Sequence, residues 1–585
     1  VSKRTESNSS CFHDDLKWHF MGCAVIMISV EIIGTQSSGP TSIKQKGCNP
    51  EQVPEKMKIG YVSDERFVAL CDVVLEFENK SCGSSIETRS RASGSVHADI
   101  PPGEYLVTLQ KPGYGSKRVQ LTITETSKPY QFRLLTDGLL GYAWPKWVQA
   151  GEQSEFRVHS VEMYHLELYR YGLKKELVKS LGWYDEHGPR ATMQITPDGD
   201  YSQTGVQFNH QGYTNPHHKQ YVTAPEKSGL YYFHAKTNSG ATFSFPWVVA
   251  PAVPKSQIAV LASNVTWNAY NAFGGRSNYI NPDKLPNIPV VNSRQELARY
   301  TNPDNINYGV WDYAPLSFDR PELINSIALG EQATDPIEGR AACHLASAEW
   351  RLLAWMEREG FEYDYWAETQ LQSGVLDLKN YKILVISTHP EYWSREMFQK
   401  VHHWVFHEGG RLVYLGGNGL NCEVEFLDPF TMRARNGDDR EMKRRNLESR
   451  FHFTGISEGS LLGVVYDERG IMTSAPYEVL EPDHWVFWGT NLKKGDHFGQ
   501  ESLHRRCPGG ASGHETDKTT VSSPKGTQII ARGLNADQGG AEIVTFETST
   551  GGRVFSAGSI TWPASVLVSE PVSQMTKNVL EEFLK

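Results

Sequence analysis

The sequence predicts a multidomain chain: two all-β sandwich domains followed by an α/β open-sheet domain. Three observations carry this. Short apolar–polar alternations separated by Gly/Pro turns run from 57 to about 250, the pattern of half-buried strands. A Pro-rich linker, Ala250-Pro-Ala-Val-Pro-Lys-Ser256, closes that stretch. Beyond it, short apolar runs alternate with apolar residues at helical spacing, which reads as strand–helix units.

Residues 1–56 read as an irregular N-terminal extension. Val1–Ser10 is polar and aperiodic, and Ser37–Glu55 is rich in Ser, Lys, Gln, Gly and Pro. The apolar run Phe20–Val30 stops at Glu31, short of the ~20 residues that span a bilayer. It resembles a signal h-region, but no clear small-residue cleavage site follows. A cytoplasmic protein is therefore expected, with Met57 a candidate natural start.

The first β-domain, 57–135, opens on Met57–Val62. Val73, Leu75 and Phe77 alternate with acidic residues, and Tyr105, Val107 and Leu109 form a second face. Val119, Leu121 and Ile123 form a third, with turns at Pro101-Pro102-Gly103 and Lys111-Pro112-Gly113. The second β-domain, 136–250, carries Phe156–Val158, Leu166–Leu168, Leu230–Phe233 and Phe243–Val249, around a loop from Gly188 to Lys219. Such strand spacing indicates sandwiches.

From 257 to 585 the period changes. Ile258–Leu261, Ile383–Ile386 and Leu412–Leu415 are buried-strand runs. Ala348, Leu352, Trp355 and Met356 make a helical stripe ending at Gly360. Ser394 is placed to cap a helix bearing Met397, Val401, Trp404 and Val405, which Gly409-Gly410 stops. Parallel βα units are expected, with ligands at the carboxyl ends of the strands.

Composition removes several functions. With 68 acidic against 58 basic residues and a net charge of −10, the chain lacks the basic excess that nucleic acid requires. None of the eight cysteines forms a C-x-x-C pair, so scattered free thiols are expected. No H-E-x-x-H helix is present. A glutamine-amidotransferase-like or Rossmann-like open sheet would suit the spacing. Its strand-to-helix elbow, however, holds His389-Pro-Glu391 instead of the cysteine of a thiol enzyme. His403 and His407 have metal-ligand spacing but lie opposite the apolar face, so they read as solvated. The sequon Asn264-Val-Thr266 falls inside the candidate site and reads as coincidence.

Three strand ends carry the chemistry. After Ile383–Ile386 come His389 and Glu391, two titratable groups at a helix start. After Leu412–Leu415 comes Gly416-Gly-Asn418-Gly, whose glycines admit a ligand near the backbone and whose amide offers donor and acceptor. After Ile258–Leu261 comes the cluster Trp267-Asn-Ala-Tyr270-Asn-Ala-Phe-Gly-Gly-Arg276-Ser-Asn-Tyr279. Phenols and amides there suit a small polar ligand or a hard ion.

W-N-A-Y-N-x-F-G-G-R-S-x-Y, S-F-D-R-P (Ser317–Pro321), T-H-P-E-Y-W-S, G-G-N-G and G-H-E-x-D (Gly513–Asp517) occur in that order. This series resembles the large subunit of N,N-dimethylformamidase and proteins sharing its C-terminal domain, over about 257–585. The resemblance implies an amide hydrolase with a mononuclear ferric ion, Fe(III), held by two tyrosinates and a carboxylate. It implies Tyr270 and Glu391 as ligands. His389 and Glu515 would be the catalytic acid–base pair, and Asn418 the substrate-binding residue. For the second tyrosine, Tyr279 best fits a recurring S-x-Y element, with Tyr308 and Tyr313 also candidates. The charged stretch Asp428–Ser449 resembles an insertion. A small amide substrate is implied, and a small subunit or self-association is a possible partnership. A non-catalytic carbohydrate- or protein-binding role, or a metal enzyme of other chemistry, are the alternatives.

Overall fold

The computed structural model describes residues 57–184, 196–206, 220–291, 313–327, 344–435, 442 and 444–585. Lys56–Lys585 forms one compact unit. It is β-rich, with several sheets and few helices.

The first alternating stretch forms two sheets. One runs Ser95–Ala98, Met57–Ser63, Tyr130–Arg133; the other runs Ser85–Arg89, Val74–Asn79, Gly103–Lys111, Gly115–Ile123. Alternation puts every second side chain on one face. Val62, Val96 and Phe132 of one sheet thereby share a buried cluster with Leu75, Phe77, Val107 and Leu109 of the other. The second stretch repeats this logic. A three-stranded sheet (Tyr221–Thr223, Gln153–Ser160, Leu139–Trp144) shares Phe156, Val158, Leu166, Phe233 and Trp247 with a five-stranded one. The latter runs Lys175–Tyr184, Tyr164–Tyr171, Gly229–Thr237, Thr242–Ala250, Trp147–Gln149. Most of the Gly188–Lys219 loop lies outside the described residues.

The third region is built on a nine-stranded sheet. Five strands are mutually parallel, in the order Asp364–Ala367, Ile258–Ala262, Ile383–Thr388, Arg411–Gly416, Arg553–Ser556. The sheet continues antiparallel through Glu542–Glu547, Gln528–Gly533, Tyr477–Val479 and His497–Phe498. It is therefore a mixed sheet rather than the run of parallel units that the sequence predicts. The strands Gln528–Gly533, Glu542–Glu547 and Arg553–Ser556 follow one another with no helix of a full crossover between them, so adjacent pairs turn back on themselves.

The continuous apolar runs are explained by burial on both faces. Ile258, Val260, Ile383 and Val385 meet the helices Ala346–Glu359 and Glu570–Leu584 in one cluster. Ala259, Leu261, Leu384 and Ile386 meet the helix Arg395–His407 in another. Each fully buried aliphatic side chain contributes ~1.5–3 kcal/mol. The expected caps are present: Ser394 Oγ accepts from Met397 N at 3.0 Å, and Gly360 ends its helix in the left-handed conformation.

Beside the strand ends lies a four-stranded sheet of Leu316–Ser317, Thr431–Ala434, Cys422–Asp428 and Tyr392–Ser394. The charged stretch after Asp428 thus contributes a strand to this sheet, with Met432 and Ala434 buried. The cysteines described, Cys71, Cys82, Cys422 and Cys507, are free. Among the described residues no helix is long and apolar enough to cross a membrane.

Candidate functional site

The strand Ile383–Thr388 ends on Thr388 at φ 65°. A left-handed conformation is an outlier for a β-branched residue and costs of order 1–3 kcal/mol. The turn it makes sends the next residues off the sheet: His389 and Glu391 are both buried. The neighbouring strand end is held to it by backbone bonds, Leu420 N to Pro390 O at 2.8 Å and Cys422 N to Glu391 O at 2.9 Å. Asn418 and Leu420 are left-handed too, as is His514 on the segment leading to Glu515. Strained backbone therefore clusters where the titratable groups converge.

The short helix Asn264–Tyr270 follows the strand Ile258–Ala262 and carries Tyr270 on its last residue. Asn264 and Thr266 of the sequon are buried in it. Tyr279 returns by a turn in which Ser277 Oγ accepts from Tyr279 N and Ile280 N, both at 3.0 Å. The two phenol rings lie 4.4 Å apart, centroid to centroid.

Both phenols donate to the same oxygen, Glu391 Oε2, from 2.8 Å (Tyr270) and 2.7 Å (Tyr279). His389 Nε2 lies 3.1 Å from that oxygen and 3.0 Å from the Tyr270 hydroxyl. His389 Nδ1 faces Gly417 O at 3.1 Å and Glu515 Oε2 at 3.6 Å. With oxygens at both nitrogens, the ring is placed as a double donor. Burial acts to lower its pKa, but the carboxylates of Glu515 and Glu391 outweigh it and raise it to about 9. Burial would likewise raise Glu391, yet the hydrogen bond and charge of His389 hold it below the usual carboxylate range. Burial, then Glu391, pushes Tyr270 and Tyr279 well above the ordinary phenol value.

Glu515 is raised by burial in the first place, His389 opposing and Glu391 adding to the rise. Asn418 Nδ2 donates to Glu515 Oε2 at 2.9 Å, while Asn418 Oδ1 is buried without a partner. Asp517 accepts from Asn418 N and from Tyr414 O–H, both at 2.7 Å, fixing the Asn418 turn.

All six residues singled out in the sequence are brought together: Tyr270, Tyr279, His389, Glu391, Asn418 and Glu515. Of the described candidates for the second tyrosine, Tyr279 contacts Glu391 and Tyr313 is buried near Tyr392; Tyr308 lies outside the described residues. His403 and His407 are exposed, as predicted. Three neighbours had no role assigned. His344 stacks edge-on against Tyr270 (5.2 Å) and His389 (5.4 Å). Tyr392 O–H donates to the Tyr279 oxygen at 3.1 Å. Cys422 Sγ lies 3.6 Å from Glu391 Oε1. Tyr392 sits inside the H-P-E-Y-W-S block and could have been found there. His344 stands in no motif.

The donor set suits a hard cation. Three donors crowd Glu391 Oε2, more than the lone pairs of one carboxylate oxygen serve well. A cation replacing the phenol protons would turn two of those donors into ligands. Two phenolates and a carboxylate are hard oxygen donors. Among the described residues no group of three or more His, Cys, Asp or Glu side chains is arranged to hold an ion, so an ion here would depend on the phenols.

Buried carboxylates, an imidazole between them and an unpartnered amide oxygen at strand ends make a site of the acid–base class. The chain belongs to the family described as N,N-dimethylformamidase beta subunit-like, C-terminal, whose sequence profile matches residues 176–574. That match begins well before the motifs read from 257 onward, inside the strands that precede the linker. The N,N-dimethylformamidase beta subunit of Alcaligenes sp is 27% identical over 292 residues, covering 41% of this chain and 37% of that protein. The one from Paracoccus aminophilus is 26% identical over 292 residues, with the same coverage of each. The match thus spans little more than a third of the length of these curated relatives. A solved structure described as a putative adhesin from Bacteroides ovatus matches at 9% identity and a TM-score of 0.13, over 35% of this chain and 88% of its own.

Proposed function

We propose that this protein is an amide hydrolase cleaving the C–N bond of a small N-substituted, formamide-like amide at the His389–Glu391–Glu515 site. The observation that carries the reading is the convergence of Tyr270, Tyr279 and His389 on one oxygen of Glu391, with Glu515 on the far side of the imidazole. Tyr270, Tyr279 and Glu391 would hold a mononuclear ferric ion. Bound there, the ion would supply Lewis acidity toward the amide carbonyl.

The protein's own groups do the rest. Asn418 Oδ1 is a buried acceptor placed to hold a water or a substrate N–H. Glu515, raised by burial, takes a proton from the attacking water as the C–O bond forms. The same proton returns to the amide nitrogen as the C–N bond breaks, because an amine leaves poorly unless protonated. Acid and amine are the products. His389, charged between two carboxylates, stabilises the oxyanion of the tetrahedral stage.

Finer readings accompany this one. The parallel half of the large sheet supports an open-sheet, glutamine-amidotransferase-like catalytic domain over 257–585, preceded by sandwich domains at 57–135 and 136–250. The relatives are named beta subunits, which supports a partner subunit here. We also propose a cytoplasmic setting, which cell fractionation would check.

The deciding measurement is the visible spectrum of the full chain after ferric loading, with iron content and a panel of small amides on the same sample. A tyrosinate charge-transfer colour, about one iron per chain and turnover of a formamide would support the reading. A colourless protein that takes up no iron and turns over no amide would overturn it in favour of a binding role. A coloured protein inert to every amide would point to a metal enzyme of other chemistry.

A further inference from the structure

The S-F-D-R-P block has no part in the chemistry above, yet its arginine lies against the segment that joins the two phenols. Arg320 is fully buried. Its guanidinium donates to five neutral oxygens: Ser317 O (2.8 Å), Asn271 O (3.2 Å), Phe273 O (2.7 Å), Arg276 O (3.3 Å) and Asn268 Oδ1 (3.0 Å). Three of these belong to 271–276, the link between Tyr270 and Tyr279. A cation buried on carbonyl oxygens gives up much hydration. What it secures is the course of that link.

Two more buried arginines, Arg276 in the link and Arg133 in the β-rich part, tie the two together. Arg276 donates to Asp200 Oδ2 at 2.7 Å and to the carbonyls of Pro282 (3.2 Å) and Pro315 (2.5 Å). Arg133, at the end of the strand Tyr130–Arg133, donates to Gly274 O at 3.1 Å, Tyr201 O–H at 3.2 Å and Asp64 O at 2.8 Å. Gly274 N in turn donates to Glu65 O at 2.8 Å. Gly274 and Gly275 have φ of +99° and +91°, and a Cβ on Gly275 would lie 2.5 Å from Phe67 Cβ. The link is therefore pressed directly onto residues 65–67, 133 and 200. Asp319, next to Arg320, bonds Arg157 Nη1 at 2.7 Å and Tyr142, tying the same block to the second set of strands.

We infer that the β-rich N-terminal part is a positioning scaffold for the active site: Arg133 and Asp200, acting on Gly274 and on Arg276 of the link that Arg320 holds from behind, set where Tyr270 and Tyr279 stand relative to Glu391. The inference rests on the reading of those phenols as donors to the ion. It gives the β strands a function in the chemistry rather than in carbohydrate or protein capture.

The test uses the full chain with Asp200→Asn, which leaves the Arg276 cation buried beside a neutral amide. Arg133→Lys, which keeps the charge but loses the fork of donors, is the second variant should the first not fold. Amide hydrogen exchange is followed over 268–280 in iron-free protein, and ferric affinity and the visible band are read on the loaded protein. The expected result is exchange at least ~10-fold faster in 268–280 and unchanged in Gly229–Thr237 and Arg411–Gly416. Ferric affinity should fall ~10-fold or more, with a shifted band. Exchange in the link as in the wild type would overturn the inference. So would faster exchange with ferric affinity and band unaltered. If the wild-type control takes up no iron, the functional reading fails there, and the exchange on iron-free protein still decides whether the scaffold holds the link.

Discussion

Two pairs of titratable residues look alike in the sequence and differ in the folded chain. His389 and Glu391 leave the strand Ile383–Thr388; His403 and His407 ride the helix Arg395–His407. The first pair is buried and joined by a hydrogen bond. The second stands in solvent, its rings 4.9 Å apart, against Glu408. Spacing is equally suggestive in both cases. What separates them is the element beneath: a strand end surrounded by other strand ends collects groups from distant segments, whereas the outer face of an amphipathic helix meets water.

That contrast can be broken by substitution. His389→Gln should lower the proposed amide hydrolysis by roughly 10²–10³, whereas the double change His403→Ala and His407→Ala should leave the rate alone and alter stability by less than about 0.5 kcal/mol. Steady-state kinetics with thermal unfolding decides it; equal losses from both would erase the distinction.

A buried carboxyl away from the reacting groups sharpens it through pH. Glu349 accepts from Trp267 Nε1 at 2.8 Å and Tyr365 O–H at 2.9 Å, and burial pushes it up to about 7. Its folded pKa is above its unfolded one. Its contribution to stability is thus fully present below about pH 4.5 and is lost as pH rises through about 7. The loss is at most ~3 kcal/mol. Glu349→Gln should flatten this slope, seen as denaturation midpoints that change less between pH 5 and pH 8 than those of the wild type. An unchanged slope would show that Glu349 stays ionised.

The smallest effect is expected at the helix start beyond the elbow. Ser394→Ala removes the Oγ that accepts from Met397 N and should cost about 1 kcal/mol, with kinetics unchanged. A rate loss comparable to that of His389→Gln would mean that the helix start itself sets the geometry of Glu391.

Much of the site was legible because it follows a rule of strand ends. Tyr270, His389, Glu391 and Asn418 each follow an apolar run, and Glu515 sits in a compact G-H-E-x-D block. Tyr279 was one of three candidates, since a link between two phenols has no period to read; of the described candidates it is the one hydrogen-bonded to Glu391. His344 and Tyr414 could not be read, the first because it belongs to no motif, the second because it lies within an apolar strand. The antiparallel half of the large sheet was also hidden. Its short strands, such as Tyr477–Val479 and His497–Phe498, offer too few alternations to declare a period. The arginines around the link show the general limit: the sequence displays their charge, but not that carbonyl oxygens surround it.

The strand-end construction also bears on when the site comes into being. Tyr270, Glu391 and Glu515 enter the chain far apart during synthesis. The strand Arg553–Ser556 that pairs beside Arg411–Gly416 is made later still. A chain emerging from the ribosome holds the phenols well before it holds the carboxylates that complete them. The groups that converge at the site, from Tyr270 to Glu515, are thus framed in full only after the last strands of the sheet have been translated.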